Sequence, residues 1–191
     1  MLAGGRSRRM GRDKALLEID GEPLWRRQTQ LALASGASRV FLSVRPDQNL
    51  GRPATEQVVD TRVDLGPLSG IATSIDACRG THLLVLAVDM PALNKGIISR
   101  LLARCGANSG VIPHVDGEAQ PLAAVYTRDC LDPATRALAQ AALSVRAWAA
   151  DCLRLGFCMR WDVPASDAPL FANWNSPDDV PPGGFRENPT F

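Results

Sequence analysis

The chain has 191 residues, with 21 Lys and Arg against 20 Asp and Glu, and a net charge of +1. This balance gives no general attraction to nucleic acid or to a membrane surface, and no apolar run approaches the roughly 20 residues of a spanning helix. Only two histidines are present, His82 and His114, which excludes a three-histidine zinc site and an HExxH motif. We expect one domain over residues 1–180 and an irregular tail rich in Pro and Gly over 181–191.

Short apolar runs alternate with helical patterns along the chain, which predicts an α/β fold with a parallel sheet. In chain order the patterns predict a helix over 23–35, strands at 39–44 and 58–59, a helix over 67–78, a strand over 82–88, a helix capped by Asn94, a strand pair 111–115 and 122–126, helices near 133–142 and 144–155, and a strand over 157–161. The run at 82–88 is continuously apolar, as in a central strand that is covered on both faces.

Five cysteines are present, and no two of them form a CxxC pair. An odd number of cysteines without a signal-peptide pattern predicts reduced, buried thiols in a cytoplasmic protein. The five are Cys78, Cys105, Cys130, Cys152 and Cys158.

The sharpest local signal is the segment 2–14, LAGGRSRRMGRDK, which has three glycines and five cations against one acid. Glycines allow the backbone to approach a ligand closely, and exposed N–H groups can then form an anion-binding nest. Arg and Lys add positive charge for phosphates. The segment is neither a Walker A motif nor GxGxxG, and a solvated basic turn is the alternative interpretation.

Three further signals are weaker when each is taken alone. Asp89 ends the predicted strand 82–88, where open α/β sheets bind ligands and where a carboxylate can hold Mg²⁺ or simply cap the next turn. The glycine-rich segment 66–70 begins a predicted helix and offers N–H groups to a ligand. Asn173 and Asn175 alternate along an extended segment and can supply amide oxygens, although such residues more often satisfy loop backbone.

Taken together, these motifs resemble the MobA-type molybdenum cofactor guanylyltransferases. The opening, LAGGRSRRMGRDKALLEIDGEPL, resembles the family's opening pattern. Matches to further family motifs follow in order: VD at 59–60, GPLSG at 66–70, VDMP at 88–91, QPL at 120–122 with Tyr126, and FANWNSP at 171–177. The resemblance covers about residues 2–178.

The resemblance implies a Rossmann-like, three-layer α/β nucleotidyltransferase fold with a mostly parallel sheet. It implies transfer of GMP from GTP to the phosphate of molybdopterin, with Mg²⁺ as cofactor, pyrophosphate as product, and transient contact with molybdenum-insertion proteins and apo-molybdoenzymes. A phosphate nucleophile is already ionised at neutral pH, which agrees with the scarcity of histidine. By resemblance, the nucleotide-binding residues are Leu2, Ala3, Gly4, Lys14, Asp60, Gly66 and Asp89, the catalytic residues are Arg9, Lys14 and Asp89, the metal ligand is Asp89, and the acceptor-side residues are Asn173 and Asn175.

Two departures from the family pattern stand out. The family has a full strand before LAGG, whereas this sequence has only Met1, so we expect the true start to lie upstream or the chain to be cut. Ser43 stands where the family often has Asn, and a serine can still form a hydrogen bond there.

Three alternative functions remain at this stage. A molybdopterin cytidylyltransferase would resemble LAAG at its start and lack GPLxG, so Gly4 and the segment 66–70 favour guanine. A sugar-1-phosphate nucleotidyltransferase would carry a Pro-Lys motif in place of Asp13-Lys14. A non-catalytic nucleotide-binding module for cofactor delivery would not need both Lys14 and Asp89.

Overall fold

A computed structural model describes residues 1–3, 13–50, 56–59 and 65–174 of the chain. The predicted helices are confirmed within a few residues at their ends, and Asn94 caps α3 by accepting a hydrogen bond from the Ile97 amide. The predicted tail, 181–191, lies outside the described residues. In this part of the chain the α-helices are α1 (Leu24–Ala34), α2 (Pro67–Ala77), α3 (Lys95–Leu102), α4 (Leu131–Ala139) and α5 (Val145–Arg154), and the 3₁₀ helices are Lys14–Leu16, Arg128–Cys130 and Ala165–Phe171.

The strands also follow the predicted order along the chain. The described strands are β1 (Glu18–Ile19), β2 (Glu22–Pro23), β3 (Phe41–Val44), β4 (Glu56–Val59), β5 (His82–Leu86), β6 (Gly110–Val115), β7 (Glu118–Ala119), β8 (Ala123–Thr127) and β9 (Cys158–Asp162). The short pair β1–β2 forms an antiparallel hairpin that the sequence did not predict.

The pairing of the strands is partly parallel and partly antiparallel. The predicted parallel sheet is confirmed in part, because β3 pairs with β4 and β6 pairs with β9 in parallel. β8 instead lies between β5 and β6 and is antiparallel to both, so the predicted mostly parallel sheet needs correction here. The reason is the short connection: β6 turns at Asp116-Gly117 into β7, and only a few residues then lead to β8, too few for the crossover that a parallel strand needs.

The first three residues lie between β3 and β5. Leu2 forms parallel bridges to Ser43 and to Ala87, and its amide donates to the Leu86 carbonyl at 2.8 Å. These bridges bring β3 and β5 into one surface at this point. Next to Met1 the beginnings of β3 and β5 border a cavity of about 480 Å³.

Side chains of the strands alternate between two apolar cores. Val85 packs in a core with α2, α4 and α5, whereas Leu86 packs in a second core with α1 and α3. Successive strand residues point to opposite faces, so the sheet carries helices on both sides. The predicted three-layer arrangement is therefore confirmed.

The cysteines only partly follow the prediction. All five are free thiols, and Cys130, Cys152 and Cys158 are buried, but Cys78 and Cys105 are partly exposed. Both lie where an element ends, Cys78 after α2 and Cys105 after α3, and so outside the two cores' centres. No helix among the described residues is long and apolar enough to cross a membrane.

Candidate active site

Asp89 and Lys14 meet at the edge of the sheet where β5 ends. Asp89 follows β5 by way of Ala87, which bridges to Leu2, and Lys14 opens the 3₁₀ helix Lys14–Leu16. Lys14 Nζ lies 3.6 Å from Asp89 Oδ2, and the two side chains keep 16% and 24% of their surface exposed. The structure thus brings together two residues that are 75 positions apart and that the sequence singled out for phosphate and metal binding.

One oxygen of the Asp89 carboxylate is an unsatisfied hydrogen-bond acceptor. Its Oδ1 is buried and has no hydrogen-bond partner among the described residues. A buried polar atom without a partner is costly, so an unsatisfied carboxylate oxygen beside an accessible edge fits a ligand that supplies the missing interaction. A hard divalent cation suits such an oxygen, and Mg²⁺ commonly uses one or two carboxylates together with substrate phosphates and water. Across the described ranges no three His, Cys, Asp or Glu side chains group to hold a metal ion.

Asp13 fixes the turn that carries Lys14. Its Oδ1 accepts a hydrogen bond from the Ala15 amide at 3.1 Å and so caps the 3₁₀ helix. Its Oδ2 accepts from Gln48 Nε2 at 2.8 Å and lies 3.3 Å from Arg45 Nη2. Sequence reasoning missed Arg45 and Gln48, because a contact between residues more than 30 positions apart leaves no local pattern.

The start of α2 combines two glycines with different roles. Gly66 precedes the helix with φ +68°, a conformation that favours glycine, and Pro67 occupies the first helical position. Gly70 is buried, and a Cβ there would collide with Ser43 Oγ. Gly70 therefore allows α2 to pack closely on β3.

The chain after the last 3₁₀ helix returns to the site. The Trp174 amide donates to the Asp89 carbonyl at 2.8 Å, which places the exposed Asn173 next to the residue that holds Asp89. On the other side of the same turn, the buried Gln28 donates to the Met90 carbonyl at 2.7 Å. Trp174 thus holds the carbonyl of Asp89, and Gln28 of α1 holds the next carbonyl, that of Met90.

The structure places six of the ten predicted site residues. Ala3 is buried and its amide donates to the Ser43 carbonyl at 2.9 Å, and Leu2 bridges to Ala87, two residues before Asp89. Gly66 begins a helix that packs on β3 and β5. The six are Leu2, Ala3, Lys14, Gly66, Asp89 and Asn173, and the other four, Gly4, Arg9, Asp60 and Asn175, lie outside the described residues.

The fold matches that of known nucleotidyltransferases. It superposes on molybdopterin-guanine dinucleotide biosynthesis protein A from Archaeoglobus fulgidus with a TM-score of 0.73, over 93% of this chain and 92% of that one, at 23% sequence identity. The chain therefore has the α/β fold of the nucleotidyltransferases.

The sequence narrows this class to one family. Residues 1–154 match the MobA-like NTP transferase domain, and the chain belongs to that family. It is 38% identical over 183 residues to a probable molybdenum cofactor guanylyltransferase of Opitutus terrae, covering 94% of this chain and 90% of that protein. It is 36% identical over 183 residues to a molybdenum cofactor guanylyltransferase of Xanthomonas euvesicatoria, covering 93% and 89%.

Proposed function

We propose that this protein is a molybdenum cofactor guanylyltransferase, which transfers GMP from GTP to the terminal phosphate of molybdopterin and releases pyrophosphate. Family membership and the activity named for two relatives, each similar over most of both chains, support this reaction. The observation that carries it is the contact between Lys14 and Asp89, which sets a cation and an incompletely bonded carboxylate side by side at the ligand-binding edge of the sheet.

The reaction needs charge neutralisation and positioning more than proton transfer. An oxygen of the molybdopterin phosphate forms a bond to the α-phosphorus of GTP, and the bond from that phosphorus to the β-phosphate oxygen breaks. Lys14 stabilises the charge that develops on the departing pyrophosphate, and we assign Arg9 the same role. Asp89 would hold Mg²⁺, which would supply positive charge against the phosphate oxygens.

Neither histidine is placed to act as a general base. His82 begins β5, seven residues before Asp89, which is about 23 Å along an extended chain. His114 is buried on β6, where its Nδ1 lies 3.2 Å from the Ile112 carbonyl oxygen. A phosphate nucleophile is ionised at neutral pH, so the reaction proceeds without a base of this kind.

The two substrates are assigned to the two sides of Asp89. We assign the nucleotide to Leu2, Ala3, Gly4, Asp60 and Gly66. We assign the acceptor to Asn173 and Asn175, and the support for this is that Asn173 precedes Trp174, whose amide donates to the Asp89 carbonyl. We place the reaction in the cytoplasm and expect the product to pass to molybdenum-insertion proteins or apo-molybdoenzymes.

The test is pyrophosphate release with molybdopterin, run in parallel with GTP and CTP, each with Mg²⁺ and with EDTA. We expect release with GTP and Mg²⁺, little release with CTP, and none after chelation. Equal initial rates with GTP and CTP would contradict the guanylyl assignment. Binding of GTP without any release of pyrophosphate would instead indicate a non-catalytic nucleotide-binding module.

A further inference from the structure

Gln48 joins two parts of the chain that flank the glycine- and arginine-rich segment. It lies four residues after β3, and its Nε2 donates to the Ala3 carbonyl at 2.8 Å and to Asp13 Oδ2 at 2.8 Å. Its Oε1 accepts from the Arg45 amide at 3.2 Å, which holds the side chain in place. Ala3 and Asp13 are the residues on either side of segment 4–12.

The chemistry of this arrangement requires a primary amide. One nitrogen must donate two hydrogen bonds to two acceptors, and one oxygen must accept a third. A carboxylate of the same shape has no donor for Ala3, and it would stand against the carboxylate of Asp13. The position is therefore sensitive to a substitution that changes charge without changing size.

We propose that Gln48 is a positioning residue that sets the backbone and the Lys14 turn for binding of the nucleoside triphosphate. It fastens the two ends of segment 4–12 together and fixes Asp13, whose capping bond holds the turn from which Lys14 reaches Asp89. Gln48 acts through Asp13 and Ala3, the two residues to which its amide nitrogen donates. This inference rests on the proposed function only in taking the nucleotide to be GTP.

The expected consequence is a loss of nucleotide affinity rather than of chemistry. Without the two hydrogen bonds of Gln48, part of the binding free energy of GTP is used to order Ala3, Asp13 and the Lys14 turn, so the affinity for GTP falls. Once GTP is bound, Lys14 and Asp89 are both still present, so the turnover rate at saturation changes little. Such a pattern raises KM and leaves kcat nearly unchanged.

The experiment uses Gln48→Glu with Gln30→Glu as the matched control. Gln30 also donates from its amide to a carboxylate, Oε1 of Glu22 at 2.6 Å, but it lies on the exposed face of α1. Titration calorimetry measures the Kd for GTP with Mg²⁺ at about pH 8 and again at about pH 5.5, where a carboxyl paired with another carboxyl takes up a proton. Pyrophosphate release provides kcat and KM at the higher pH.

For Gln48→Glu we expect the Kd for GTP to rise about tenfold at the higher pH, which corresponds to losing one charge-assisted hydrogen bond. At the lower pH the defect narrows, because the protonated carboxyl group again donates to Asp13. We expect kcat within about twofold of the unsubstituted protein, and Gln30→Glu to match that protein at both pH values.

Different outcomes overturn different statements. Equal Kd values for Gln48→Glu and the unsubstituted protein overturn the inference, as does a fall in kcat that equals the rise in KM or a Kd defect that does not change with pH. An unsubstituted protein that binds GTP but transfers nothing overturns the proposed function alone, since the Kd comparison still decides the role of Gln48. An unsubstituted protein that does not bind GTP overturns both.

Discussion

Buried polar groups have hydrogen-bond partners at the centre of the larger apolar core, whereas one at the edge of the site has none among the described residues. In the core, Tyr126 and Trp148 are almost fully buried, with ring centroids 4.5 Å apart. Tyr126 donates from its hydroxyl to the Pro121 carbonyl at 2.8 Å, and Trp148 Nε1 donates to the Cys130 carbonyl at 3.2 Å. At the site edge, by contrast, Asp89 Oδ1 is buried without a partner among the described residues.

The thiols extend the pattern of the core. Cys130 Sγ and Cys158 Sγ are 3.7 Å apart. The hydrogen bond to Cys130, together with burial, raises the pKa of Cys152 and of Cys158, and the hydrogen bonds from these two thiols lower the pKa of Cys130. These polar atoms of the core thus have hydrogen-bond partners, whereas one carboxylate oxygen at the site has none among the described residues.

This difference teaches where stability and binding capacity come from. Satisfied polar groups inside an apolar core fix a single packing, and their loss is felt as lost folding free energy. A polar group that lacks a hydrogen-bond partner at an accessible edge adds little to the free energy of unfolding. It adds much to the binding free energy of a ligand that supplies the missing bond. Substitutions in the two regions should therefore separate stability from activity.

Trp148→Ala is expected to have the largest effect. It removes a buried indole, its contact with Tyr126 and its bond to the Cys130 carbonyl, and it should lower the free energy of unfolding by about 3–5 kcal/mol. Denaturant unfolding measures this loss. KM for GTP in the fraction that remains folded should match the unsubstituted protein, and a specific change in KM at undiminished stability would contradict the separation.

Asp89→Asn should reverse that pattern. The amide keeps the shape of the side chain but loses the charge that pairs with Lys14 and holds a cation, so kcat/KM should fall about 10²–10³-fold. Asp162→Asn is the control, because Asp162 is an exposed carboxylate at the end of β9 that pairs with Arg160. We expect thermal unfolding of both variants to stay close to that of the unsubstituted protein, and near-normal turnover of Asp89→Asn would refute the metal assignment.

Lys14→Ala should also lower activity rather than stability, but by less than Asp89→Asn. Loss of one cation next to the phosphates should lower kcat/KM for GTP about tenfold to a hundredfold, the range expected for one hydrogen bond to a charged group. The chain has one other lysine, Lys95, which is exposed at the start of α3, so Lys95→Ala is a matched control. If Lys14→Ala shifts thermal unfolding strongly while GTP kinetics stay normal, the lysine is structural.

The sequence predicted those elements and site residues that leave a local pattern in the chain. Helical spacing and the continuous run 82–88 identified the elements, charge and glycine content singled out the segment of Lys14, and the end of the run 82–88 singled out Asp89. The short turn at Asp116-Gly117 also predicted the pairing of β6 with β8. The place of β8 next to β5 and the contacts of Gln48 depend on which strand and loop become neighbours in space, and no local pattern encodes that. The role of Gly70 escaped for the same reason, since its packing partner is Ser43 on a different element.

The smallest predicted effect concerns the contact that joins α2 to the strands leading to the site. Gly70→Ala gains about 1 kcal/mol of helix propensity but forces the new methyl group against Ser43 Oγ, at a typical cost of about 1–3 kcal/mol for overpacking. The net result should be a loss of about 1 kcal/mol in denaturant unfolding.

Combining Gly70→Ala with Ser43→Ala sharpens this last prediction. The second substitution removes the colliding oxygen, and the nearest remaining atom, Leu2 Cδ2 at 3.3 Å from the new Cβ, is the end of a flexible side chain. In the Ser43→Ala background the helix propensity then dominates, so Gly70→Ala should become neutral or stabilising. A double-mutant cycle measures the coupling between the two positions. The same destabilisation in both backgrounds would show that Gly70 is required for a reason other than its approach to Ser43.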